Sequence, residues 1–327
     1  MGESSPVEML WGLINAHTLA RCVHVVADFG VADALGESPA SVSELAVSTG
    51  MNADALGRML RLLAAQGVFA LGPQGYVHTP ASRLLRSDHP QSLRSLARMM
   101  GMPVTWRGFT ELRHAAKTGR PATDWASLVA YFADHADEAR LFNQAMVDKS
   151  AGVVPAIVDA YDFSAFTTIA DIGGGRGHLL RAILERVPTA SGILFDLPHV
   201  IADAADAASQ RLQLAAGDVF RDPLPVADAY VLMEVIHDWP DDDASKIFAA
   251  IRRVMPRHAR LLVIEALVSE APGPDRSKML DIVMLAITGG RERTRGAYEA
   301  LLKPAGFRLE RIIPTPSGYS VVEAVLV

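Results

Sequence analysis

From Thr167 onward, short apolar segments alternate with segments of helical periodicity, and this alternation constrains the fold more than any other feature. The apolar segments include TTIADI, SGILFDL, ADAYVLMEVI and ARLLVIEALV, and the helical ones include HLLRAILERV and DDDASKIFAAIRRVM. Strands that alternate with helices form a parallel sheet with right-handed crossovers and helices on both faces. We therefore predict a doubly wound α/β domain, with a last strand in GYSVVEAVLV that is an antiparallel edge or a hairpin partner.

The first hundred residues have a different and mainly helical pattern. SVSELAVSTG begins with serine caps and ends at Gly50, a second helix is capped at Asn52, and GVFALGPQGYVHTP contains the turn signal of a hairpin. Together these elements predict a winged helix. The preceding segment, VEMLWGLINAHTLARCVHVVADFG, is too apolar for a helix surrounded by water, so we expect a large partner surface to cover it.

The composition is that of a globular protein, with 327 residues, 50% of them hydrophobic and 21% charged. The single cysteine excludes an intrachain disulfide and a thiolate zinc cluster, which suits a reducing cytoplasm. No signal-peptide pattern begins the sequence and no apolar run reaches transmembrane length, so we expect a cytoplasmic protein without a membrane partner. The net charge of −6 argues against a nucleic-acid partner, because phosphates bind to basic faces.

A glycine loop follows the first strand of the alternating region. Its glycines are Gly173, Gly174, Gly175 and Gly177. Glycine allows a tight turn and lets a ligand approach the backbone amides. The dinucleotide fingerprint fails, because His178 stands where its third glycine belongs. Asp171 precedes the loop, and its carboxylate would repel a pyrophosphate but would suit the ammonium group of an amino acid whose carboxylate the amides hold.

Two further acids lie beside later strands, Asp196 at the end of one and Asp218 ahead of another. Asp196 lies 21 residues after Gly175, where an acid of a doubly wound fold binds both hydroxyls of a ribose. Asp218, in AAGDVF, can accept a hydrogen bond from an adenine amino group, while Val219 and Phe220 flank the ring. Ligands collect at the carboxyl ends of such strands. A ligand with an amino acid, a ribose and an adenine is S-adenosylmethionine, whose product after methyl transfer is S-adenosylhomocysteine.

The motifs DIGGGRGH, FDLP, GDVF, HDWPDDDASKI, GGRERT and GYSVVEA together resemble those of the two-domain, S-adenosylmethionine-dependent O-methyltransferases of small molecules. This family includes caffeate and acetylserotonin O-methyltransferases and a bacterial natural-product branch. The resemblance covers nearly the whole chain. It implies a Rossmann-like class I methyltransferase domain at 99–327, with an acceptor-pocket segment at about 99–160. It also implies a winged-helix-like domain at 1–98 that forms a homodimer, and a reaction without a metal.

The resemblance maps the general base of the family onto His237 and two flanking glutamates onto Glu265 and Glu292. A neutral histidine can take the proton of a phenol, whose pKa is about 10, as the methyl group arrives. A carboxylate on the other ring nitrogen would fix the tautomer, and the sequence leaves open which glutamate does this. The apolar run VLMEVI predicts that His237 lies at the end of a buried strand.

The helix ARLFNQAMVDKSAG resembles the segment that lines the active site in the family. It makes Phe142, Asn143 and Met146 candidate contacts of a flat, aromatic, hydroxylated acceptor, although such a stripe is equally typical of a core. Relatives have a lysine four residues before the histidine and some have an arginine three before it, where this chain has Met233 and Glu234. How the adenine is held there stays open. The full set of expected cofactor contacts is Asp171, Gly173, Gly175, Asp196, Leu197, Gly217, Asp218, Val219, Phe220, Met233, Trp239 and Ser150.

Other functions compete with O-methylation. The acids of PDDDASKI suit the first turn of a helix better than a metal site. The same fold can carry diverged chemistry on an aromatic acceptor, such as N-methylation, decarboxylation or hydroxylation. A third possibility is a winged-helix regulator that senses the cofactor. Its recognition helix would have only Arg58 and Arg61 as basic residues, which argues against DNA reading.

Overall fold

The computed structural model describes residues 5–327, except for the side chains of Trp125 and Ala126. The chain forms two compact units. The first contains the described residues through Trp106 together with His135–Lys149, and the second contains Arg107–Asp134 and Ser150–Val327. The domain boundary that the sequence places near residue 98 stays a prediction.

The first unit is mainly helical and contains one hairpin. Its elements are α1 (Pro6–Asp28), α2 (Val31–Leu35), α3 (Val42–Thr49), α4 (Ala53–Ala65), β1 (Phe69–Gly72), β2 (Gly75–His78), α5 (Pro80–Arg83) and α6 (Arg94–Gly101). The two helices and the hairpin that the sequence predicts between Val42 and His78 are therefore present. Leucines of α3 and α4 pack with Phe69 of the hairpin in one buried core.

Helix α1 carries far more apolar surface than its own unit covers. A capping box of Ser5 and Glu8 begins the helix. Its exposed large apolar side chains are Val7, Met9, Leu10, Trp11, Leu13 and Ile14. Trp11 alone is 71% exposed. This agrees with the expectation that the segment needs a partner surface.

The second unit contains the large sheet, with strands β3 (Thr168–Ile172), β4 (Ser191–Asp196), β5 (Leu212–Ala216), β6 (Ala229–Met233), β7 (Arg260–Glu265), β8 (Phe307–Pro314) and β9 (Ser320–Leu326). The strand order is β5-β4-β3-β6-β7-β9-β8. Strands β3 to β7 pair in parallel, and β9 is antiparallel to both of its neighbours. The α/β prediction is confirmed.

The remaining helices lie before β3 or between the strands of the sheet. The helices after α6 are α7 (Pro103–Thr110), α8 (Leu112–Thr118), α9 (Trp125–Asp134), α10 (Ala136–Ala151), α11 (Val154–Ala160), α12 (His178–Arg186), α13 (Pro198–Asp203), α14 (Asp241–Val254), α15 (Arg276–Ile287) and α16 (Arg295–Leu302). Helices α7 and α10 contribute residues to both units. The predicted last strand is β9, which is a hairpin partner of β8 and lies inside the sheet, because β8 takes the edge.

Two negative findings hold for the described part of the chain. None of the helices in residues 5–327 combines the length and the hydropathy needed to cross a bilayer. Among the same residues, no group of three histidine, cysteine, aspartate or glutamate side chains is arranged to hold a metal ion.

Candidate active site

The glycine loop joins β3 to α12. It lies at the position in the sheet where the order of the strands reverses, with β4 and β5 on one side of β3 and β6 and β7 on the other. Strand β3 lies between β4 on one side and β6 on the other, so ligands of such a sheet collect at its carboxyl end. Gly173 has a φ of 72° and Gly175 a φ of 59°, both in the left-handed region that favours glycine. The loop therefore has the backbone that the sequence predicts.

The backbone amides of this loop donate hydrogen bonds to acceptors within the chain. Gly173 donates to the carbonyl of Phe195 over 2.8 Å, and Gly177 donates to the carbonyl of Gly174 over 2.9 Å. The amide of Gly175 donates to Oδ2 of Asp196 over 2.8 Å. All three amides therefore have acceptors within the chain, and the expectation that the amides of this loop hold the carboxylate of a ligand stays a prediction.

Asp196 ends β4 with its carboxylate held in one orientation. Besides the Gly175 amide on Oδ2, Oδ1 accepts from the amide of Leu197 over 2.7 Å. Each oxygen retains a lone pair for one more donor, such as a ligand hydroxyl. Gly217 lies beside it, because its amide donates to the Asp196 carbonyl over 2.9 Å. A Cβ on Gly217 would lie 2.7 Å from the Phe195 ring, so the close approach requires glycine.

Asp171 is the buried acid beneath the loop. Among the described residues, neither of its carboxylate oxygens has a hydrogen-bond partner. Burial and the charge of Asp196 raise the pKa of Asp171 to about 7, against a smaller lowering by the backbone amide of Leu180, which lies outside hydrogen-bond geometry. A buried carboxylate without a partner is costly unless a donor or a cation compensates it. The side chain therefore fits a ligand that carries an ammonium group, as an amino-acid moiety does.

The candidate adenine contacts lie after β5 and after β6. Oδ1 of Asp218 accepts from the amide of Phe220 over 2.9 Å, which stabilises the turn after β5. The rings of Phe220 and Trp239 pack edge to face, with centroids 4.7 Å apart. Both rings are half-buried, as are Val219 beside them and Met233 at the end of β6. The structure thus brings the aromatic candidates from the two segments together.

The sequence predicts that His237 lies at the end of a strand. In the structure it lies beyond the strand, in the turn that follows. Strand β6 ends at Met233, and a short 3-10 turn contains Ile236–Asp238. Between them, Glu234 has a φ of 56°, and its amide donates to the carbonyl of Ile264 over 3.1 Å. The apolar run continues through this turn because the turn is also buried, and His237 is only 5% exposed.

The two candidate glutamates hold different parts of His237. Oε1 of Glu292 lies 2.8 Å from Nδ1 of the ring. Oε1 of Glu265 instead accepts from the backbone amide of His237, also over 2.8 Å. Glu292 is therefore the glutamate that contacts the ring, and Glu265 holds the turn.

The charges around the ring favour its protonated form. Burial lowers the pKa of His237, but the carboxylates of Asp238, Glu292 and Glu265 outweigh this effect and raise it to about 10. Oδ1 of Asp238 lies 3.9 Å from Nε2, the nitrogen that Glu292 leaves free. A pKa of about 10 favours the imidazolium form at neutral pH as long as no bound cation opposes these carboxylates.

The sequence interpretation missed Arg293 and Gly290 as individual site residues. The buried guanidinium of Arg293 donates to the carbonyls of Ile236 over 2.9 Å and Trp239 over 2.8 Å, on both sides of His237. A Cβ on Gly290 would lie 1.8 Å from the His237 carbonyl, so only glycine fits there. Both residues belong to the segment GGRERT, whose motif was the only signal that could have identified them.

The candidate acceptor contacts lie on α10. Phe142 and Met146 are half-buried and Asn143 is exposed, and all three belong to the first unit. Ser150 belongs to the second unit and is half-buried. The contacts of these residues with a ligand stay predictions.

Comparisons with known proteins agree with this geometry. Residues 11–88 match an O-methyltransferase dimerisation domain, and residues 109–308 match an O-methyltransferase domain. The phenazine O-methyltransferase of Lysobacter antibioticus is 39% identical, over 97% of this chain and 95% of its own length. The mitomycin biosynthesis 6-O-methyltransferase of Streptomyces lavendulae is 36% identical, over 91% of this chain and 88% of its own.

Solved structures give the same result. Human N-acetylserotonin methyltransferase, crystallised with S-adenosylmethionine, has a TM-score of 0.90 at 27% identity, covering 100% of this chain and 99% of its own. Its fold is that of the class I methyltransferases, and the cofactor of the family is S-adenosylmethionine. The glycine loop, the fixed Asp196 carboxylate and the family matches lead to one conclusion: this chain belongs to the S-adenosylmethionine-dependent O-methyltransferases that combine a dimerisation domain with a methyltransferase domain.

Proposed function

We propose that this enzyme methylates a hydroxyl group, of phenolic type, on a small aromatic natural product, with His237 as the general base and without a metal. The observation that carries the proposal is the contact of 2.8 Å between Glu292 and Nδ1 of a buried histidine, in a turn at the carboxyl end of the sheet. A carboxylate at Nδ1 fixes the proton there, which leaves Nε2 as the atom that can accept a proton.

Proton transfer to Nε2 requires the ring to be neutral first. S-adenosylmethionine supplies an electrophilic methyl group on a positively charged sulfur. A positive charge close to the ring opposes the three carboxylates and lowers the pKa of His237. The ring would therefore become a base when cofactor is bound, and the same carboxylates would stabilise the imidazolium that forms as the acceptor loses its proton.

The remaining site residues have proposed roles as well. Asp196 and Leu197 would hold the ribose, and Asp171 the amino group, since its buried carboxylate has no partner among the described residues. The other proposed cofactor contacts are Gly173, Gly175, Gly217, Asp218, Val219, Phe220, Met233, Trp239 and Ser150. The proposed acceptor contacts are Phe142, Asn143 and Met146.

The test of this function is transfer of a labelled methyl group to a panel of hydroxyarenes and aminoarenes in the presence of EDTA. We expect methyl ethers, identified by mass spectrometry and NMR. The aminoarenes are included because an N,N-dimethyltransferase of 8-amino-8-demethylriboflavin from Streptomyces davaonensis is 33% identical to this chain. Products methylated only on nitrogen would contradict the choice of acceptor, and loss of activity with EDTA would contradict the metal-independent mechanism.

Replacing Glu292 with glutamine tests the partner of the ring. The pH dependence of kcat/KM for S-adenosylmethionine reports the cofactor-free enzyme, so wild type should gain activity as the pH rises towards about 10, where His237 loses its proton. Removing one carboxylate lowers the pKa of His237. We therefore expect the acid limb of the profile, which is the rise in kcat/KM with pH, to move down by about one pH unit. The control is Glu299→Gln, an exposed carboxylate paired with Arg295 on α16. An unchanged limb in Glu292→Gln would contradict the assignment.

We also propose a cytoplasmic homodimer that contacts neither nucleic acid nor membrane, with α1 at the interface. The exposed apolar face of α1 and the match to a dimerisation domain support the dimer. Trp11→Glu would bury a charge in this contact, which is unfavourable without a partner. Light scattering should show a monomer for this variant and a dimer for Val226→Glu, whose site is exposed in the second unit. A Trp11→Glu dimer would contradict the interface.

A further inference from the structure

We infer that Tyr298 is a positioning residue of the reaction: its hydroxyl keeps Glu265 in the ionised form that fixes the His237 turn. The inference deepens the proposed function and rests on it, because the position of His237 matters only if His237 takes part in methyl transfer. The hydroxyl of Tyr298 donates to Glu265 and not to the ring of His237, so Tyr298 acts through Glu265.

The geometry places one buried carboxylate between a helix and the turn. Tyr298 lies on α16, is fully buried, and donates its hydroxyl to Oε2 of Glu265. Glu265 ends β7, is fully buried as well, and its other oxygen accepts from the His237 amide over 2.8 Å. Each oxygen of Glu265 therefore has one donor, and both donors require Glu265 to be an acceptor.

The surroundings of Glu265 make its ionisation sensitive to the loss of one donor. Burial raises the pKa of Glu265 to about 7. His237 and Arg293 oppose this by their positive charge, Glu292 adds to it by its negative charge, and the Tyr298 hydroxyl lowers the pKa by its hydrogen bond. The pKa of Glu265 thus lies near neutral pH. Without the hydroxyl, Oε2 would be buried and unsatisfied, which favours the protonated acid.

A protonated Glu265 would hold the turn less firmly. The hydrogen bond from the His237 amide is charge-assisted only while Glu265 is ionised, and such bonds are about twice as strong as neutral ones. The turn would remain folded, because Arg293 also donates to the carbonyl of Ile236 and the amide of Arg291 donates to that of His237 over 2.8 Å. The expected loss is therefore in the placement of the base and not in the fold.

Tyr298→Phe is the test, and Tyr230→Phe is its matched control. Tyr230 is also fully buried in the same core, but its hydroxyl bonds to Pro225 and Ala227 at the other end of β6. We expect Tyr298→Phe to lower kcat about ten-fold and to leave the Kd of S-adenosylhomocysteine unchanged. Tyr230→Phe should lose stability without a change in kcat. Equal kcat values for the two variants would overturn the inference.

A double-mutant cycle and an NMR titration separate positioning from simple packing. In a Glu265→Gln background, where residue 265 cannot ionise, Tyr298→Phe should no longer change kcat. With histidine labelled by 15N, the titration of the His237 amide should move to higher pH in Tyr298→Phe by about one unit. A full ten-fold loss in the Glu265→Gln background, or an unmoved titration, would overturn the inference.

The NMR measurement needs no turnover, so it also separates two failures. If His237→Ala transferred methyl groups as fast as wild type, the proposed function of His237 would fail. The link from Tyr298 through Glu265 to the His237 amide would then still be decided by the titration. If His237→Ala was inactive but the titration of the His237 amide did not move in Tyr298→Phe, His237 would still be the base and only the role of Tyr298 would be wrong.

Discussion

Replacing His237 with alanine lowers kcat for methyl transfer to a phenol by about 10²–10⁴-fold, the usual contribution of a positioned general base. The Kd of S-adenosylhomocysteine stays unchanged, because His237 is not itself a proposed cofactor contact and most of those contacts lie on the glycine loop and at the ends of β4 and β5. Alanine also removes the partner of Glu292, whose other carboxylate oxygen is already buried without a partner among the described residues. Stopped-flow or quench-flow kinetics measures the first quantity, and titration calorimetry the second.

The control for this variant is His258→Ala. His258 precedes β7 at the amino end of the sheet. Nε2 of its ring lies 2.9 Å from Oδ1 of Asp228. Its replacement should leave kcat unchanged. Equal kcat values for wild type and His237→Ala would contradict the role of His237 as base, and a parallel loss of cofactor binding would show that alanine had disturbed the whole site.

Replacing Asp196 with alanine weakens the binding of S-adenosylmethionine and S-adenosylhomocysteine by about 100-fold. The carboxylate is held by two backbone amides, so it presents its free lone pairs in a fixed orientation. Hydrogen bonds to a charged acceptor each contribute about 1.5–3 kcal/mol, and one such bond corresponds to a ten-fold to hundred-fold change in Kd. Calorimetric titration of both ligands measures this directly.

Asp206→Ala controls for the loss of negative charge near this end of the sheet. Asp206 lies in the short turn after α13, is mostly exposed, and has Arg176 at 3.5 Å. Its replacement should leave both Kd values unchanged. If Asp196→Ala bound the cofactor as tightly as wild type, the ribose assignment would be wrong.

The parts of the fold that the sequence predicts are those whose signal is local. Strands β3 and β6 are buried on both faces and their sequences are mainly apolar, as in other parallel sheets. Strand β8 was not predicted, because a bulge between Leu309 and Arg311 breaks its alternation of charged and apolar residues, and its edge position leaves it without a continuous apolar run. Strand β5 was not identified either, since it is the opposite edge strand and is largely half-buried or exposed.

The same distinction separates the predicted and the missed parts of the site. Asp196 and the glycine loop were predicted because their roles follow from positions next to strand ends. The roles of Arg293 and Tyr298 depend on contacts with Ile236 and Glu265, which are 57 and 33 residues away in the chain, and no local pattern encodes them. The left-handed backbone of Glu234 had no sequence signal, because non-glycine residues seldom adopt it.

The central claim, that His237 removes the proton of the acceptor, is tested most directly by a series of phenols of decreasing pKa. Single-turnover rates of methyl transfer would be measured for wild type and His237→Ala at one pH. We predict that the ratio of the two rates is large for weakly acidic phenols and falls towards one for phenols that are already ionised, since these need no base. A ratio that is constant across the series would contradict general-base catalysis by His237.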